Sequence, residues 1–179
     1  MKKIKKLFKF VIILFILISI CINILYFLYP NKYKDQVLKY AKEYEVQPSL
    51  IYAIIKTESN FNNEARSHKD ALGLMQIKDT TGEWLAKRLF IRDYTIEKLY
   101  DPDTNIKIGT WYIKSLMTKY NDVDTAVASY NAGSGNMDKW LQDGEYSEDG
   151  LTIKNIPFPE TEKYVKKVKI NKIIYQILY

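Results

Sequence analysis

The chain has 179 residues but only one cysteine, Cys21, and one histidine, His68. A lone cysteine inside an apolar run leaves the rest of the chain without a disulfide or a thiol nucleophile. A lone histidine excludes any multi-histidine metal site, and neither a metal nor another cofactor is expected. His68 sits among polar residues and reads as an exposed side chain rather than a catalytic one. Repeats and low-complexity tracts are absent, and so is any convincing strand pattern apart from the short candidate Leu151-Thr152-Ile153. No acidic residue precedes Asp35, and no charge of either sign falls between Phe10 and Tyr29.

The last two absences define the N-terminus. A basic segment, Met1 to Lys9, leads into an uncharged run about long enough to cross a hydrocarbon core at roughly 1.5 Å per residue. Lysines on the short flank predict that this end stays in the cytoplasm with the remainder outside. A cleaved signal peptide would have a shorter core and a small-residue cleavage site, whereas residues 24–29 are bulky and aromatic. Lipoprotein processing at Cys21 would call for a small residue before it, where Ile20 stands, and the apolar sequence runs on past the cysteine. The preferred division is therefore a basic cytoplasmic tail (1–9), a single transmembrane anchor (10–29) and one extracytoplasmic domain (30–179). Lys2, Lys3, Lys5, Lys6 and Lys9 account for five charges of the net +6, which leaves the outer part near +1. The basic character is thus a topology signal and does not indicate a nucleic-acid partner. Lys163, Lys166, Lys167, Lys169 and Lys172 read as one solvated helix face.

The outer part is mostly α-helical by its apolar spacing. Helices are expected from Asp35 to Tyr44, from Pro48 to Glu58, and around Asp79 to Leu89. A long one is expected with Asp103 as its N-cap, running through Leu116, and another with Asp124 as its N-cap, stopping at Gly133 and Gly135. The last is expected from about Thr161 toward Tyr179. In the second of these, Ile51, Ile54, Ile55 and Glu58 fall at i, i+3, i+4 and i+7 along one stripe. From position alone Glu58 reads first as a helix-end residue whose side chain bends out to solvent. The alternative is a carboxyl withdrawn from water, which resists ionising, so that its pKa rises toward neutrality and it can donate a proton to a leaving oxygen.

Four motifs follow in order: Glu58-Ser59, Gly73-Leu74-Met75-Gln76, Tyr130-Asn131-Ala132-Gly133, and Glu160-Thr161 with Tyr164-Val165. In this order and at these separations they resemble the lytic transglycosylase domain of the soluble-lytic-transglycosylase type, over roughly residues 39–169. Phe61-Asn62, Ala65 and Ser67 match the segment before the glutamine motif, and Asn105-Ile106, Gly109 and Tyr112 match the central helix. Asn63, Lys78-Asp79 and Ser129 depart from the residues frequent in that family.

The resemblance implies a goose-type lysozyme-like fold acting on peptidoglycan glycan strands. It implies Glu58 as the single acid and base, with no second carboxylate. Glu64, Asp70, Asp79 and Glu83 lie in polar stretches, and none stands out from the residues alone as a partner acid. Substrate-binding residues implied are Ser59, Ser67, Gln76, Tyr130, Asn131, Glu160 and Tyr164. From periodicity alone Tyr130 reads equally as a core residue, and Glu160 as a helix N-terminal charge. The rival readings are a hydrolytic muramidase of the same fold, with Asp70 or another acid as base, and a noncatalytic wall-binding module of a secretion or conjugation apparatus.

Overall fold

The computed structural model describes residues 2–179, with side chains from residue 6 onward; Met1 of the expected basic tail lies outside the described residues. The chain forms two compact units, one ending at Asn31 and the other beginning at Lys32. The first is a single helix, α1 (Lys2–Leu28), so the basic and apolar segments form one continuous rod. From Lys6 to Leu28 its side chains are exposed and its mean hydropathy reaches 3.0, long and apolar enough to cross a membrane.

The second unit is helical, with α2 (Lys34–Tyr44), α3 (Pro48–Glu58), α4 (Asp79–Arg88), α5 (Pro102–Tyr120), α6 (Val123–Ala132), α7 (Ser134–Leu141) and α8 (Pro159–Leu178). Helix α5 is the hub, packing against α2, α4 and α6 and against a 3-10 turn at Ile96–Tyr100. Apolar periodicity builds the core. Ile51, Ile54 and Ile55 of α3 are fully buried, as are Ile106 and Ile113 of α5 and Ala126 of α6. Each large aliphatic side chain so buried contributes about 1.5–3 kcal/mol.

Several expectations need correcting. The two caps shift by two residues. Asp101, not Asp103, caps α5 by accepting from the Thr104 N–H at 2.8 Å, and Asp122, not Asp124, caps α6 by accepting from the Thr125 N–H at 2.7 Å. Pro102 explains the first shift, because proline fits the first helical position and leaves Asp101 just outside it. Asp103 instead accepts from the Tyr40 hydroxyl at 2.6 Å, and Asp124 pairs with Lys169 at 2.9 Å. Gly133 does end α6, but Gly135 lies inside a further helix, α7. Residues 151–153 form no strand; the short antiparallel pair is β1 (Ala71–Leu72) with β2 (Ile77–Lys78).

That hairpin carries the glutamine motif in its turn, and α5 fixes it. Asn105 is fully buried. Its amide donates to the Leu72 and Leu99 carbonyls at 3.0 and 2.7 Å, and its oxygen accepts the Met75 N–H at 2.8 Å. Gly73 has φ +73°, and a Cβ there would stand 2.1 Å from the Leu99 oxygen. Gly109 lets Met75 rest on the α5 backbone, since a Cβ would meet the Met75 sulfur at 2.4 Å. Both positions therefore exclude a side chain for reasons of space, and Gly73 also for its backbone conformation.

Candidate active site

Glu58 ends α3, and the chain then turns sharply through Asn60 and Phe61, both left-handed at φ 51° and 65°. The buried Phe61 ring holds that turn against Tyr52 and Tyr175, with ring centroids 6.2 and 6.4 Å away. Thr57 and Ser59, on either side of the acid, donate back to Ala53 and Ile55 carbonyls at 2.7 and 3.2 Å. Those bonds tighten the last turn and leave the Glu58 side chain facing a cleft of about 490 Å³. A volume of this order suits a small ligand or a few sugar units.

Seven regions contribute to the cleft: the end of α3, the loop through Ser67 and Lys69, the hairpin at Gln76, α4, α5, the α6–α7 junction, and the start of α8. Burial is the main cause that pushes the Glu58 carboxyl from its ordinary 4.5 to about 7. The Tyr164 hydroxyl opposes that rise by interacting with the charged form, while the like charge of Glu160 adds to it. The Tyr164 and Tyr130 hydroxyls are themselves held well above their ordinary pKa by burial and by the nearby Glu58 charge. Both rings thus sit close enough to the acid to share its electrostatics.

The residues expected to bind substrate divide into two groups. Ser67, Gln76, Tyr130, Asn131 and Glu160 line the cleft with Glu58. Gln76 adopts φ 50° and donates to the Ala65 and Gly73 carbonyls at 3.1 and 2.9 Å, which leaves its own carbonyl oxygen available. Tyr130 donates to the Met75 carbonyl at 2.9 Å, so it ties α6 to the hairpin as well as facing the acid. The Asn131 oxygen accepts from Thr161 at 2.8 Å, which leaves its amide protons for a ligand. Ser67 spends its oxygen on the Lys69 and Ala71 N–H groups, at 3.2 and 3.0 Å. Ser59 and Tyr164 do not line the cleft. Ser59 is committed to the helix end, and Tyr164 is buried with no hydrogen bond of ordinary geometry at its hydroxyl.

Of the other acids weighed, Asp70 is held by Arg66 at 2.7 Å, and Glu64, Asp79 and Glu83 do not line the cleft. Glu160 is the second carboxylate of the described cleft, and Lys69 pairs with it at 3.4 Å. Lys69, Thr161 and Tyr112 are cleft residues that sequence reasoning did not assign to substrate, and His68 is exposed as expected yet belongs to the rim. The Tyr112 ring lies 5.2 Å from that of Tyr130, on the next helix. Its helical register alone carried no signal that it would reach the cleft.

Comparison with known proteins places this arrangement. The family described as Transglycosylase SLT domain matches residues 35–151. The soluble lytic murein transglycosylase of Escherichia coli (strain K12) is 36% identical over 143 residues, covering 78% of this chain and 22% of that protein. The membrane-bound lytic murein transglycosylase C of Cronobacter sakazakii is 33% identical over 177 residues, covering 82% of this chain and 47% of that protein. Among solved structures, the 70 kDa soluble lytic transglycosylase of Escherichia coli aligns with a TM-score of 0.75 at 31% identity, covering 86% of this chain and 25% of that one. An inactive glutamate-to-glutamine mutant of the Pseudomonas aeruginosa lytic transglycosylase Slt aligns with a TM-score of 0.73 at 30% identity, covering 84% and 25%. The chain therefore spans between a fifth and a half of the length of these relatives. With the family match extending over most of the outer unit, the chain belongs to the transglycosylase SLT domain family.

Proposed function

We propose that this chain is a membrane-anchored lytic transglycosylase that cleaves the β-1,4 bond between N-acetylmuramic acid and N-acetylglucosamine in peptidoglycan without consuming water. The observation that carries this reading is a single carboxyl, Glu58, held near pKa 7 in a cleft whose other acid is tied to Lys69. The names of the similar proteins, soluble and membrane-bound lytic murein transglycosylases, support the same substrate.

Protonated Glu58 gives its proton to the oxygen leaving C1 of N-acetylmuramic acid. The 2-acetamido group of that sugar stabilises the charge developing at C1. Glu58, now a carboxylate, takes the proton from the C6 hydroxyl of the same sugar, and that oxygen closes on C1 as a 1,6-anhydro ring. The acid is regenerated in its starting state. A group serving as both acid and base works best with a pKa near the working pH. Gln76, Asn131 and Tyr130 are suited to hold the acetamido groups and ring beside Glu58. Helix α1 spans the membrane with residues 1–9 in the cytoplasm and the domain from residue 30 outside. A secretion or conjugation machine that needs a gap in the wall is a candidate partner.

The test is mass analysis of fragments released from purified peptidoglycan by the full chain. Anhydro ends, one water lighter than reducing ends, are expected, and Glu58→Gln should abolish them with an unchanged circular dichroism spectrum. Reducing ends would assign a hydrolase instead.

A further inference from the structure

A second cavity, about 480 Å³, adjoins the cleft and shares Thr81 and Tyr112 with it as lining residues. It lies between α4 and α5 and has a different chemistry. No acidic residue lines it. Two tryptophans do, Trp84 and Trp111, with ring centroids 6.1 Å apart edge to face. Arg88, one turn beyond Trp84 on α4, lies with its guanidinium 5.2 Å from the Trp84 ring centre. A cation–π contact of this kind holds the guanidinium over the indole.

Arg88 makes no ion pair with a carboxylate among the described residues. The other cation of this cavity, Lys119, is already neutralised by Asp138 at 2.6 Å. Trp84 is 44% exposed, a large share for an indole. Hydroxyls of Thr80, Ser115 and Ser134 complete the wall. Ser115 already donates to the Tyr112 carbonyl at 2.7 Å and so offers a lone pair to an incoming N–H.

We propose that this side pocket binds the acidic stem peptide of the glycan strand whose sugars occupy the catalytic cleft, a reading that rests on the proposed function. An unpaired guanidinium held over an indole selects a carboxylate, and in peptidoglycan free carboxylates belong to the peptide branch. Hydroxyls suit the peptide amides, and the indoles suit its aliphatic portions. Continuity through Thr81 and Tyr112 lets one peptide-bearing strand reach both cavities.

The experiment compares peptide-bearing strands with strands stripped of peptide by an amidase and then capped as methylamides at the lactyl carboxylates that the amidase uncovers, using the full chain in detergent. Arg88→Glu should lower kcat/KM about tenfold on peptide-bearing strands, equivalent to 1.4 kcal/mol, and leave the stripped strands unaffected. Arg88→Lys should recover part of the loss. A parallel titration of the Glu58→Gln protein with free stem peptide, with and without Arg88→Glu, needs no turnover. Weakened peptide binding in the double variant is expected. Equal losses on both strand types, no loss on either, or peptide binding indifferent to Arg88 would each overturn the assignment. A protein that cleaves neither strand yet binds the peptide through Arg88 would overturn the catalytic reading alone.

Discussion

Glu58→Gln should make the outer domain more stable, by an amount that grows with pH. Burial raises the Glu58 carboxyl from 4.5 to about 7, and at 1.36 kcal/mol per pH unit that gap amounts to about 3 kcal/mol. In the unfolded chain the group loses its proton around its ordinary value. In the folded domain it keeps the proton until about pH 7. Between those two points the unfolded state releases a proton that the folded state retains, so rising pH favours unfolding across that window and not beyond it. Glutamine removes the titration. The gain of Glu58→Gln over the parent should therefore be a few tenths of a kcal/mol at pH 4 and about 3 kcal/mol at pH 8.

Urea unfolding followed by tryptophan fluorescence measures this directly, because Trp84, Trp111 and Trp140 all lie in the second unit. The full chain in detergent can be used, with the parent and the variant compared at pH 4, 6 and 8. The slope with urea should match between the two proteins, so the midpoint difference reports stability. A midpoint difference independent of pH, or one that grows toward acid, would refute the assigned environment of Glu58.

Other consequences follow from the same geometry. Removing the like charge with Glu160→Gln should lower the Glu58 pKa, moving the alkaline fall in kcat/KM from near pH 7 to a lower pH; a profile that stays put would show that Glu160 does not act on the acid. Tyr164→Phe should shift the same fall upward, since the hydroxyl now favours the charged form. Asn105→Ala strands three buried backbone groups of the hairpin and should cost about 3 kcal/mol or more in urea unfolding. Gly109→Ala should cost about 1–3 kcal/mol through the clash with Met75. Adding Met75→Ala should then cost less than it does alone, a coupling that a double-mutant cycle would detect.

Helices were legible because each presents an apolar stripe to one core, and Ile51, Ile54 and Ile55 are buried as their spacing predicts. The caps were misread where two acids stand two residues apart, at Asp101 and Asp103 and at Asp122 and Asp124. In the first pair Pro102 held the answer. Helix α7 escaped notice because Gly135 resembles loop sequence, although at its position a Cβ would meet nothing within 4 Å. The β1–β2 pair is two residues per strand, too short for an alternating pattern. The cleft itself was legible only as separate motifs. Lys69 and Glu160 stand 91 residues apart, and only the tertiary fold makes them an ion pair. The side pocket left no local trace either, because Trp84 and Trp111 lie on different helices, α4 and α5, and only the tertiary fold brings them together.

Left-handed residues occur in the cleft and in the segments that lead to it, and three of the four have an evident restraint. Asn60, Phe61, Asp70 and Gln76 are left-handed without being glycine, a conformation that costs roughly 1–2 kcal/mol per residue. Phe61 is held by its ring contacts, Asp70 by Arg66, and Gln76 by two bonds to backbone carbonyls. Such restraints fix the walls around Glu58 without placing a counter-charge beside it, so burial, with a smaller push from the like charge of Glu160, raises its pKa. An unperturbed glutamate would be protonated in about one molecule in three hundred at pH 7, whereas a carboxyl titrating near 7 is protonated in about half. That population gain and the instability removed by Glu58→Gln come from one free energy. The stability difference between the two proteins therefore measures how far the fold prepares Glu58 to act as an acid.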